Sequence, residues 1–281
     1  MSSLILVLLG LAPSMVWMYW IWRRDRFQRE PLGLVAGLFF GGGLISVILT
    51  LLVVGLYEGA VPTEEASPIL NMFFTAALPE EVFKMLPVLL FAWRSRHWDE
   101  PFDGIVYAGA TALGFNLIET AGYMLGEESL GGSLYQGVVR GTLGGHMVYG
   151  IIMGFFLSRA KFSAGGARWS NLGLALAVPV ALHTTWNAAL TYGGDIIVGN
   201  ELAGVFAWGL STVLWLTAFE LIRRNKDASW WSPTARTVQV APTLCWNCHG
   251  MYPAPATFCQ TCGAQVAGSA ATHSQGATHQ S

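Results

Sequence analysis

Seven apolar runs dominate the chain, at roughly 3–22, 33–57, 68–93, 104–126, 138–158, 171–193 and 200–222. Each is close to the ~20 residues that a helix needs to cross the hydrocarbon of a bilayer. Inside hydrocarbon a backbone satisfies its own polar groups only as a helix or a closed barrel, and runs of this length select the helix. Charged residues are correspondingly few, 11% of 281, against about 25% in soluble domains. This argues against a cytosolic enzyme and against a disordered protein. The predicted fold is all-α: a polytopic bundle of about seven transmembrane helices, with the lipid bilayer as its first partner. The first run has no basic segment ahead of it and carries its arginines behind it, so it reads as an uncleaved anchor. No signature points to a nucleic-acid partner.

Basic residues set the orientation, because Lys and Arg concentrate on the cytoplasmic side. Arg23, Arg24, Arg26 and Arg29 follow the first run, and Arg94 and Arg96 the third. Arg159, Lys161 and Arg168 follow the fifth, and Arg223, Arg224, Lys226 and Arg236 the seventh. Loops 58–67, 127–137 and 194–199 hold none. The alternation predicts the N-terminus outside and the C-terminus in the cytoplasm. Small residues four apart predict close helix contacts: Gly37 and Gly41; Gly104, Ala108 and Ala112; Gly137, Gly141 and Gly145; Gly150 and Gly154.

An ionisable residue in mid-bilayer costs about 2.5–3.5 kcal/mol on insertion scales and marks function by default. Four runs carry polar residues at a similar depth. Glu80, Glu81 and Lys84 lie mid-way along the third, Glu119 in the fourth, His146 near the centre of the fifth, and His183 with Asn187 in the sixth. Glu80 and Lys84 are four apart, as are His183 and Asn187, so each pair shares a helix face. Glu81 is turned about 100° from Glu80 and is expected to face a different neighbour. Adjacent carboxylates beside histidines suit the activation of water. The other readings are a buried structural Glu–Lys pair, the proton relay of a transporter or channel, and a membrane scaffold. Arg140, near the start of its run, is assigned to neither substrate nor lipid headgroups.

At these residues the sequence resembles the PrsW family of intramembrane proteases. The resemblance rests on Glu80-Glu81-x-x-Lys84, on Phe115-x-x-x-Glu119 with Asp103-Gly104-Ile105-Val106-Tyr107 ahead of it, on His146, and on His183-x-x-x-Asn187. Arg24-Asp25-Arg26 followed by Glu30-Pro31 adds to it, and it spans about residues 15–190. The family is similar to the CAAX-prenyl protease group, but Glu119 stands where that group has histidine, which turns the reading away from prenyl-protein processing. The resemblance implies hydrolysis of peptide bonds in membrane proteins, such as single-pass anti-sigma factors, in a bacterial or archaeal cell membrane. Two mechanisms stay open. In one, Glu80 or Glu81 is the general base on a water that His183 orients, and Asn187 stabilises the oxyanion. In the other, Glu80, Glu119, His146 and His183 bind a catalytic zinc. The absence of a His-Glu-x-x-His stretch favours the first. Lys84 tunes or pairs a glutamate in either.

Beyond the protease domain, residues 1–222, the chain changes character. Residues 223–243 read as a polar linker, 244–264 as a zinc ribbon and 265–281 as a disordered tail. Cys245-x-x-Cys248 and Cys259-x-x-Cys262-Gly263 have the spacing of two zinc knuckles. Four thiolates close such a site, so its zinc is structural, and the module is expected to bind a cytoplasmic partner or to regulate access.

Overall fold

The computed structural model describes residues 3–60, 67–143, 145–193, 199–227, 242–245, 247, 251–253 and 259. They form an all-α bundle followed by a short hairpin. Helix α1 is Ser3–Arg24. Helix α2, residues 32–60, is one rod made of Leu32–Ala36, a π-helical segment Gly37–Gly42, and Gly43–Ala60. Helix α3, residues 68–92, is built from Pro68–Met72, π-helical Phe73–Ala77, Leu78–Pro87 and π-helical Val88–Ala92. Then come α4 (Asp103–Gly126), α5 (Leu130–Leu143), α6 (Gly145–Lys161), α7 (Gly165–Gly193) and α8 (Gly199–Asp227).

Among the described residues, two helices are long and apolar enough on their own to cross a membrane. They are Leu32–Gly59, with mean hydropathy 2.4, and Gly165–Ala189, with 1.2. The outer surface supports the same setting. Leu44, Ile48, Leu51 and Leu56 of α2, Leu90 and Phe91 of α3, and Val213 and Leu216 of α8 all point outward. An apolar exterior around buried charge inverts the soluble pattern and suits contact with lipid.

Helix α4 is the axis of the bundle. Every residue from Asp103 to Asn116 is buried, the signature of a helix enclosed on all sides. Its main neighbours are α6, α1, α5 and α2. Small residues make this possible. A Cβ on Gly154 would overlap the backbone of Gly104, and one on Gly150 would lie 2.6 Å from the Cβ of Ala112. The Gly104–Ala108–Ala112 and Gly150–Gly154 stripes therefore do meet. Gly37 and Gly41 do not take part, since a Cβ on either meets open space. The close approach of α2 falls instead on Gly43, against Gly114 of α4.

Two prolines shape α3. Pro87 has no N–H to give to the carbonyl of Phe83. The hydroxyl of Ser46, on α2, reaches that carbonyl at 2.7 Å and replaces the lost partner. Pro79 follows the π-segment Phe73–Ala77 in the same way that Pro87 precedes Val88–Ala92. The regular α-helical turns that hold Glu80, Glu81 and Lys84 thus lie between two π-segments, a local geometry common at functional sites.

The run expected at 138–158 is described as the end of α5, to Leu143, and α6 from Gly145, with residue 144 outside the described residues. His146 is buried in α6. One boundary differs from the expectation. Helix α8 continues to Asp227 and takes in the start of the expected linker. The rest of that linker, residues 228–241, and the tail beyond residue 259 lie outside the described residues. In the ribbon region, β1 (Pro242–Leu244) pairs antiparallel with β2 (Met251–Pro253), Leu244 opposite Met251. Cys245 and Cys259 are buried, and Cys248 and Cys262 lie outside the described residues.

Replacing Gly154 by leucine is expected to destabilise the bundle by at least about 3 kcal/mol, while Gly37→Leu leaves it folded. Thermal unfolding of the two detergent-solubilised variants distinguishes them.

Candidate active site

Lys84 is 1% exposed, and a buried ammonium requires partners. Its Nζ donates to Glu81 Oε1 at 2.8 Å and to Glu80 Oε2 at 3.2 Å. The two glutamates, expected to face different neighbours, thus share one lysine. It reaches them at i−3 and i−4, both on its own helix face. Its third acceptor is His146 Nδ1 at 2.8 Å, and its ammonium also lies 4.2 Å from the ring centre of Phe115.

These contacts fix the histidines. An ammonium only donates, so Nδ1 of His146 accepts and its Nε2–H donates to Glu119 Oε2, 2.7 Å away. The other oxygen of Glu119 pairs with Arg140 of α5 at 2.7 Å. Arg140 thus anchors Glu119, with its guanidinium 3.8 Å from the ring centre of Tyr123. His183 Nδ1 lies 3.0 Å from Glu81 Oε1 and must carry the hydrogen, since a carboxylate accepts. Its Nε2 lone pair is left facing Glu80. Glu80 Oε2 stands 3.9 Å from Nδ1 of His146 and 3.9 Å from Nε2 of His183. One carboxylate oxygen thus sits between the two imidazoles, and each ring is held on its other nitrogen by a second carboxylate.

The structure joins Glu80, Glu81, Lys84, Glu119, His146 and His183 in one network drawn from α3, α4, α6 and α7. Asn187, one turn beyond His183, is half-buried, and among the described residues no hydrogen bond ties it to the network. Tyr149 was not anticipated. Its ring stacks on His183 at 5.0 Å and 23° and meets His146 edge-on at 6.1 Å. Its hydroxyl is buried without a hydrogen-bond partner. It lies over Gly145, where any Cβ would overlap it. The signal was present: Tyr149 is three residues from His146 and shares its helix face.

The donors suit a metal ion. One ligand atom from each of Glu80, Glu81, His146 and His183 falls within a group no wider than 4.8 Å. Two ligands on a tetrahedral zinc stand about 3.4 Å apart, given metal–ligand lengths of about 2.0–2.1 Å. The 3.9 Å separations need only a small contraction. Glu81 Oε2 is buried and unpartnered, and three carboxylates face two fixed cations, Lys84 and Arg140, leaving an excess negative charge. Glu119 does not belong to this group, because it engages the far edge of His146. Lys84 occupies the Nδ1 lone pair of His146, so an ion and the ammonium compete there, while Nε2 of His183 is uncontested.

The family described as "PrsW family intramembrane metalloprotease" matches residues 30–216. That description moves the choice of mechanism towards the metal-dependent form. The chain is similar to Protease PrsW of Geobacillus kaustophilus, 29% identical over 224 residues, covering 79% of this chain and 92% of the relative. It is 33% identical over 188 residues to Protease PrsW of Clostridioides difficile, covering 66% and 79%. To Protease PrsW of Bacillus subtilis it is 29% identical over 201 residues, covering 71% and 88%. No solved structure matches it. The family match encloses every residue of the buried network, and the chain belongs to the PrsW family of intramembrane metalloproteases, as a membrane-embedded peptidase.

Proposed function

We propose that the network hydrolyses peptide bonds of membrane-protein substrates, single-pass anti-sigma factors being one such class, with zinc held by Glu80, His146 and His183. The observation that carries this reading is Glu80 Oε2, placed 3.9 Å from one nitrogen of each histidine. When bound, zinc lowers the pKa of water and polarises the scissile carbonyl. The remaining roles belong to the chain. Glu81 has Oε1 fixed by Lys84 and His183, which leaves Oε2 to take the proton of the attacking water and return it to the leaving amine. Glu119 is a positioning residue: anchored by Arg140, it holds the ring of His146 through Nε2. The phenol of Tyr149 and the amide of Asn187 are donors for the oxyanion of the tetrahedral intermediate.

The reading places the seven apolar runs across the bilayer, N-terminus outside. Four cysteines, Cys245, Cys248, Cys259 and Cys262, then hold a structural zinc in the cytoplasm and present a surface to a partner there. The hairpin that delivers Cys245 and the burial of Cys245 and Cys259 support this ribbon.

With a purified single-pass substrate, Glu81→Gln is expected to lower kcat at least about 100-fold while the zinc content holds. Glu80→Gln and His183→Ala lose zinc as well. Chelation abolishes cleavage and zinc restores it; cleavage that survives chelation returns the mechanism to its glutamate-only form. Tyr149→Phe is expected to lower kcat about 100- to 1,000-fold at unchanged KM, read from initial rates of product on gels. Elemental analysis of Cys245→Ser should show loss of the ribbon zinc alone.

A further inference from the structure

The opposite end of α4 carries a second group of buried acids, outside the network above. Asp25 and Glu30 lie in the loop between α1 and α2, and Asp103 opens α4. They are 1%, 3% and 0% exposed. One oxygen from each falls within a group no wider than 4.8 Å. The framework around them is tightly specified. Trp22 Nε1 donates to the carbonyl of Glu30 at 2.9 Å, and Tyr107 donates its phenol to Glu30 Oε2. Asp25 uses Oδ2 to accept Glu30 N at 3.0 Å, and Asp103 uses Oδ2 to accept the N–H groups of Asp99 and Glu100 at 2.8 and 2.7 Å.

Those bonds consume one oxygen of each aspartate. The other, Oδ1 of Asp25 and Oδ1 of Asp103, is buried and has no hydrogen-bond partner. Carboxylate oxygens cannot satisfy one another without a proton or a cation between them. Glu100, itself buried, adds a further acid beside them. Lys161 is buried at this end of the bundle and is attracted by Asp103, Asp99 and Glu30, while its ammonium donates its hydrogen bond to the carbonyl of Trp93 at 2.7 Å. Burial and the neighbouring acids push Glu30 up to about 9, and burial pushes Asp25 up to about 6.

We infer that Asp25, Glu30 and Asp103 form a second cation site, for a hard divalent ion of the magnesium or calcium class. The donors are all oxygen, which excludes the preferences of the histidine site and matches hard cations. The ion ties the first loop to the start of α4, the helix whose far half carries Glu119. Its role is structural, and the site stands whether or not the proposed chemistry is right.

The test uses full-length, zinc-loaded protein in detergent, with terbium as probe and excitation through the nearby tryptophans. Wild type is expected to give a saturable terbium signal that magnesium or calcium displaces, and the more effective competitor identifies the ion. Glu30→Gln, Asp25→Asn and Asp103→Asn should each weaken terbium at least about tenfold. The asparagine at 103 keeps an oxygen for the Asp99 and Glu100 N–H groups, so folding is preserved, and gel filtration with near-ultraviolet circular dichroism checks it. Glu80→Gln should leave the signal intact, which separates this site from the zinc centre. Titrations that are the same in wild type and in folded Glu30→Gln and Asp25→Asn would overturn the assignment and leave shared protons as the occupants.

Discussion

The structure depends on the burial of one ammonium. Lys84 lies deep among apolar helices, where an unpaired charge is far too costly to keep. Its three donors reach Glu80, Glu81 and His146. Each of those acceptors is then constrained in turn: His146 passes its other nitrogen to Glu119, Glu119 its other oxygen to Arg140, and Glu81 the oxygen it shares with Lys84 to His183. The chain of contacts runs through five helices. Removing one member leaves a buried charge or a buried lone pair unmatched, a cost of about 3–5 kcal/mol for a broken buried pair. The network is thus both the chemistry and a major constraint on how α3, α4, α6 and α7 are oriented.

Such a network needs helices that come close together and stay in register. Glycine contacts at Gly43–Gly114 and Gly104–Gly154 bring α2 and α6 against α4 with almost no side chain between them. Proline 87 and the π-segments of α3 break the regular ladder on both sides of the Glu80–Lys84 turns, and Ser46 repairs the carbonyl that Pro87 strands. Close packing fixes the backbone, and the charge network fixes the side chains.

Much of this was legible in the residues. Runs of apolar sequence report helices directly, because hydrocarbon allows little else, and ionisable residues inside them are costly enough to stand out. Glu80, Glu81, Lys84, Glu119, His146 and His183 were visible for that reason. What the residues hid was pairing across helices. Nothing in the spacing says that Arg140 meets Glu119, or that Glu119 engages the edge of His146 facing away from Glu80. Tyr149 escaped because an aromatic residue in an apolar helix looks like packing until its hydroxyl is found without a partner. Likewise, four-residue glycine spacing marks α4 and α6 correctly and α2 wrongly, since spacing does not reveal which face meets a neighbour.

The most direct test is X-ray absorption at the zinc edge on full-length wild type, Cys245→Ser and His183→Ala. If the account is right, Cys245→Ser retains zinc with nitrogen and oxygen ligands at about 2.0–2.1 Å and imidazole scattering, and His183→Ala loses that signal while keeping sulfur-bound zinc. Sulfur ligands alone in the wild type, together with undiminished proteolysis, would contradict it.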